Sequence, residues 1–220
     1  MERRTFEKLD YVLRMPVEFS KEEKYPLVIY LHGAGGRGRN LDLIYEHPFF
    51  SDTEPWLQQV ISVAPQCYED SWFSIFEQLQ EFVQYVIGWE CVDPSRVYLV
   101  GASMGGYTTW QLAMSRPEWF AAIIPICGGG MYWNAGRLIH MGVWAFHGDE
   151  DGAVFTEESK KMVNAIQANG GEAKLTIYEK TGHNAWSPTF QNGEVWKWLL
   201  THTSKYQATK SAYDNVENFG

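Results

Sequence analysis

Short apolar runs rich in β-branched residues recur along the chain, each closed by glycine or a turn residue and separated by stretches with helical spacing. They occupy residues 27–31, 60–64, 96–100, 122–126, 143–146 and 175–178. Runs apolar at nearly every position predict strands buried on both faces, as in a parallel sheet covered by helices. Residues 72–87 carry Ile75, Phe76, Leu79, Phe82, Val83 and Val86 on one stripe, which predicts a helix. Thr156 is placed to cap another helix, whose first turn carries Glu157 and Glu158. Pro188 is placed to open the last helix. Residues 11–17 read as an antiparallel edge strand. Strand and helix in alternation predict an α/β fold: a three-layer α/β/α sandwich around a mostly parallel, doubly wound sheet. Ligands of such sheets sit beyond the carboxyl ends of the strands. Residues 1–220 read as one domain, with 206–220 a polar C-terminal extension.

Composition narrows the partners. Apolar residues make up 45% of the chain and charged residues 20%, the balance of a globular protein. A net charge of −9 argues against nucleic acid, because phosphate backbones attract clustered Lys and Arg. No apolar stretch reaches membrane-spanning length, and no leader pattern opens the chain, so a cytoplasmic protein is expected. The three cysteines show no CxxC spacing, which points to free thiols rather than a disulfide framework or a zinc site.

The chemistry-bearing residues cluster after the strands. Gly101-Ala102-Ser103-Met104-Gly105 is a G-x-S-x-G between a buried strand and a helix. A serine there sits on a strained turn whose neighbouring backbone leaves no room for side chains at the flanking glycines. A serine hydroxyl needs a base to become nucleophilic. Of six histidines, His183 lies between the last strand and the last helix, whereas His32 and His147 read as loop-shaping residues. The acid is expected between Ser103 and His183 in sequence. Asp149, Glu150 and Asp151 all qualify, and position alone does not choose among them. Upstream, the open loop His32-Gly33-Ala34-Gly35-Gly36 can aim an amide at an oxyanion, making the Ala34 and Met104 N–H groups the expected donors. Trp72, Trp133 and Trp186 are candidate substrate-pocket walls, with Tyr132 beside them. No Walker motif is present, which argues against a P-loop nucleotide site.

Over residues 25–200 these motifs resemble the α/β-hydrolase superfamily, and more narrowly its small lidless serine esterases. Those include phospholipase/carboxylesterase, dienelactone-hydrolase-like and feruloyl-esterase-like branches. The carriers are H-G-x-G at 32–35, G-x-S-x-G at 101–105, H-G-x-x-D ending on Asp151, and Gly182-His183. The resemblance implies Asp151 as the acid, with Asp149 the alternate. It implies a small-molecule ester substrate, an acyl-enzyme on Ser103, and no metal or organic cofactor. Activity is expected to rise through about pH 6.5, the ordinary imidazole range. Two departures stand out: the nucleophile is serine where dienelactone hydrolases use cysteine, and residues 127–142 leave little room for a lid. The alternatives are a serine peptidase or acyl-aminoacyl hydrolase, for which the chain lacks room for the propeller of prolyl-oligopeptidase relatives, and a catalytically inactive binding module.

Overall fold

A computed structural model describes residues 1–205. The expected extension at 206–220 lies outside the described residues. The strands are β1 (Glu2–Phe6), β2 (Leu9–Arg14), β3 (Tyr25–Leu31), β4 (Ile61–Pro65), β5 (Val92–Ala102), β6 (Ala122–Ile126), β7 (Gly142–Gly148) and β8 (Ala173–Tyr178). They form one sheet in the order β1-β2-β4-β3-β5-β6-β7-β8. From β4 to β8 every neighbouring pair is parallel, while β1–β2 and β2–β4 are antiparallel.

The helices are α1 (Asp42–Tyr45), α2 (Pro48–Thr53), α3 (Phe76–Ile87), α4 (Met104–Ser115), α5 (Glu157–Ala168), α6 (Trp186–Phe190) and α7 (Gly193–Leu200). Two apolar cores follow from their stripes. Leu79, Phe82, Val83 and Val86 of α3, Trp110 and Met114 of α4, and Met162, Val163 and Ile166 of α5 pack on one sheet face. Ile44, Phe49, Phe50, Phe190, Val195, Trp196 and Leu199 cover the other. This is the predicted three-layer α/β/α arrangement. Strands β3, β4 and β6 are buried at every residue, as their predominantly apolar runs require.

Four local expectations are corrected. Residues 9–14 are not at the edge: β2 is an inner strand between β4 and β1, and the edge is β1. The short β1 is mostly exposed and carries Arg3 and Arg4, charges that suit an open edge. The stripe at 72–87 divides into a 3-10 turn, Trp72–Ile75, followed by α3. Thr156 makes no side-chain cap to α5; its hydroxyl instead donates to Gly148 O at 2.9 Å, tying the helix start to the end of β7. Pro188 does not open the last helix, because it falls inside the short α6. Asn192 caps α7, accepting from Glu194 N at 3.0 Å. Among the described residues, no helix is long and apolar enough to cross a membrane.

Candidate active site

Ser103 stands between β5 and α4 with φ 55° and ψ −116°, a conformation L-residues rarely adopt. Its neighbours explain how the turn is held. A Cβ on Gly105 would fall inside the Leu31 carbonyl oxygen of β3, and one on Gly101 would collide with the Gly105 carbonyl. Ser103 N donates to Ile126 O at 2.8 Å, pinning the turn to the end of β6. Glycine therefore lets the elbow settle onto two neighbouring strands. The strained φ lifts the hydroxyl clear of them.

The three residues expected to act together are within hydrogen-bonding distance. His183 Nε2 lies 2.8 Å from Ser103 Oγ, and His183 Nδ1 lies 2.7 Å from Asp151 Oδ2. A carboxylate only accepts, so Nδ1 carries the ring proton and Nε2 accepts from the serine hydroxyl. Asp151 Oδ1 in turn accepts from the amides of Ala153 and Val154, both at 2.9 Å. Burial of the Asp151 carboxyl, the largest single influence, favours its neutral form. The bonds from Val154, His183 and Ala153 together outweigh that and hold it below the usual carboxylate range. Asp149 points elsewhere: its Oδ1 accepts from Thr181 N at 3.1 Å and braces the loop before His183.

Cys127 also faces this group. Its Sγ donates to His183 O at 3.0 Å, and burial pushes its thiol up to about 12, so it is a neutral brace. Cys127 Sγ, an Asp151 oxygen and a His183 nitrogen lie within 4.8 Å of one another, a donor set that could in principle hold a cation. Asp151 and His183 already bond each other and the thiol stays protonated, so these donors suit proton transfer better than a metal.

Ala34 opens a 3-10 turn, Ala34–Gly36, and Met104 opens α4, so neither amide has an acceptor within its own helix. The loop from His32 is braced from beneath. Trp72 Nε1 donates to His32 O at 3.1 Å, Cys67 N donates to His32 Nε2 at 2.9 Å, and Gln66 Nε2 donates to Gly36 O at 2.9 Å.

The cleft over Ser103 has a volume of about 340 Å³, and its walls include Tyr30, Leu43, His47 and Trp186. Trp186 meets the His183 ring edge-to-face at 5.5 Å. Two of the three predicted tryptophans are corrected. Trp72 is fully buried, because its indole packs in the core and its N–H is used by His32. Trp133 is 72% exposed on the 3-10 turn Tyr132–Leu138, with Tyr132 against it, and neither belongs to the cleft wall. Tyr30, Leu43 and His47 were not predicted. Tyr30 reads as one more core position of an apolar strand, although a hydroxyl two residues before a histidine-glycine loop is the signal available.

Comparison with known proteins agrees with this geometry. Residues 68–135 and 137–207, more than half of the chain, match the prolyl oligopeptidase family. The probable feruloyl esterase C of Aspergillus niger is 23% identical over 192 residues, covering 82% of this chain and 69% of that protein. Its namesake in Aspergillus clavatus is 26% identical over 179 residues, covering 76% and 64%. The crystal structure of a thermostable esterase superposes with a TM-score of 0.83 at 30% identity, over 92% of this chain and 63% of that one. The chain thus spans roughly two thirds of the length of these proteins. With its G-x-S-x-G turn and its eight-stranded sheet in the α/β-hydrolase arrangement, the chain belongs to the prolyl oligopeptidase family.

Proposed function

We propose that this protein is a serine carboxylesterase in which Ser103 attacks an ester carbonyl, His183 takes its proton and Asp151 stabilises the imidazolium. The observation that carries this reading is the unbroken chain from Ser103 Oγ through the His183 ring to Asp151, with 2.8 and 2.7 Å links. The Ala34 and Met104 amides receive the oxyanion, each contributing about 3 kcal/mol to the transition state. Departure of the alcohol leaves an acyl group on Ser103, and water activated by the same His183 removes it. The relatives named for feruloyl esters, together with the apolar side of the cleft at Trp186 and Leu43, favour esters of aromatic acids. Three free thiols, Cys67, Cys91 and Cys127, support a reducing compartment such as the cytoplasm.

Labelling by a fluorophosphonate probe, followed by hydrolysis of aryl acetates, hydroxycinnamoyl esters and aminoacyl amides, tests the proposal. Wild-type protein should label and turn over the esters, and Ser103→Ala should do neither. A wild type that fails to label would refute it. Amides cleaved faster than esters would move the activity to the peptidase reading that the family name favours.

A further inference from the structure

His147 lies directly behind the proposed triad, fully buried at the end of β7. Its hydrogen-bond partners bear on its protonation. Ser159 Oγ of α5 lies 3.0 Å from Gly128 O and 2.8 Å from His147 Nδ1, and when its single hydrogen goes to Gly128 O the ring nitrogen is the donor in the second contact. His147 Nε2 lies 2.9 Å from Val154 O, which can only accept, so that nitrogen is a donor as well. Both ring nitrogens carry protons when all three bonds are made. The same Nε2 is 3.2 Å from Asp151 Oδ2, the oxygen that His183 Nδ1 contacts at 2.7 Å. One carboxylate oxygen is therefore shared between two imidazoles.

We propose that His147 is a buried imidazolium that extends the array to Ser103–His183–Asp151–His147 and acts as a positioning residue for the base. This rests on the esterase reading of the same site. A buried cation needs a counter-ion and satisfied donors, and here Asp151, Val154 O and Ser159 Oγ supply them. The other ionisable groups around it leave its charge balanced by Asp151. Tyr107 on α4 and Cys127 after β6 face Asp151, and burial keeps both neutral. Glu157 on α5 feels the His147 charge from an exposed position. The cation does two things. It gives Asp151 Oδ2 a second contact beside that of His183, and its positive potential disfavours a second positive charge on the His183 ring.

Nitrogen NMR of ¹⁵N-histidine-labelled wild type at pH 7.5 reads the first claim. Protons on both His147 ring nitrogens are expected, and a single protonated nitrogen would overturn the proposal. That reading does not depend on turnover: an imidazolium in a protein that hydrolyses nothing would count against the esterase assignment and leave this one standing. The second claim is read from pH profiles of kcat/KM in His147→Gln. Its acidic limb should move up by about one pH unit, with kcat falling about tenfold and KM within about twofold. Ser159→Ala, which removes the Nδ1 acceptor, should move the limb in the same direction if His147→Gln does not fold. Profiles superimposable on wild type would reduce His147 to a structural residue.

Discussion

Asp151 and Asp149 are two residues apart, yet their side chains do different work. Asp151 has both oxygens engaged, one by the Ala153 and Val154 amides and one by His183. Asp149 bonds a loop amide and never meets the imidazole. Replacing Asp151 by Asn substitutes an amide for the carboxylate that sets the His183 tautomer. Steady-state kinetics should show kcat falling by about 10⁴ in Asp151→Asn, as when the acid of such a triad loses its charge. In Asp149→Asn it should change by less than about threefold, because the amide oxygen can still accept from Thr181 N. Comparable losses in both variants would mean that the acid has been misassigned. Position in the sequence could not separate these carboxylates, since which one turns inward is decided by amides two and three residues further on. The tryptophans teach the same lesson. Trp72, Trp133 and Trp186 all follow strands, but a side chain's direction depends on packing contributed by distant residues, and only Trp186 meets the cleft.

At the scale of the element, the β5–elbow–α4 unit was legible because its determinants are local: an apolar run, two flanking glycines and a helical stripe within a short window. The glycines also record something non-local. Gly105 lies against the end of β3, the strand that pairs with β5, so the elbow has no room there for a side chain. In Gly105→Ala the new methyl group meets backbone on a neighbouring buried strand, which cannot yield as a flexible side chain would. Thermal or urea unfolding should show a loss of more than about 3 kcal/mol, or no soluble protein. Near-native stability would mean that the turn is not held against β3. The antiparallel strand β2 was legible, and what escaped the sequence was the strand β1 outside it. The short, charged β1 offers no apolar run to read, and without it β2 looks like an edge. The start of α7 was misplaced for a related reason: Pro188 signals a helix opening, but the helix it lies in ends at Phe190 and the Asn192 cap begins another.

Over the whole molecule, the histidines that frame the site set its response to acid. Burial, the dominant cause, lowers His32 and His47 from the ordinary 6.5 to about 4. Both bond as neutral rings. His32 Nε2 accepts from Cys67 N while its Nδ1 donates to Gly33 O at 2.6 Å, and His47 Nδ1 accepts from Phe49 N at 3.1 Å. Between pH 6.5 and 4 the unfolded chain binds protons at these positions that the folded chain refuses. The unfolded state thus gains as pH falls, and the contribution of these two rings is full above about 6.5 and lost progressively toward about 4. Each ring contributes on the order of 3 kcal/mol across that window. Asp151, whose carboxyl is held below its usual range, adds a further loss at lower pH still, because acid must protonate a group the fold keeps ionised. The order of events matters for the site. Protonating His32 at Nε2 removes the acceptor for Cys67 N and loosens the loop that presents Ala34, so the amide proposed to receive the oxyanion should lose its place together with global stability. Melting temperatures measured from pH 7 to pH 4 should fall steeply below 6. In His47→Gln, which keeps an acceptor for the Phe49 amide but cannot titrate, the fall should be shallower by about half. An equally steep slope in the variant would place the acid sensitivity elsewhere in the fold.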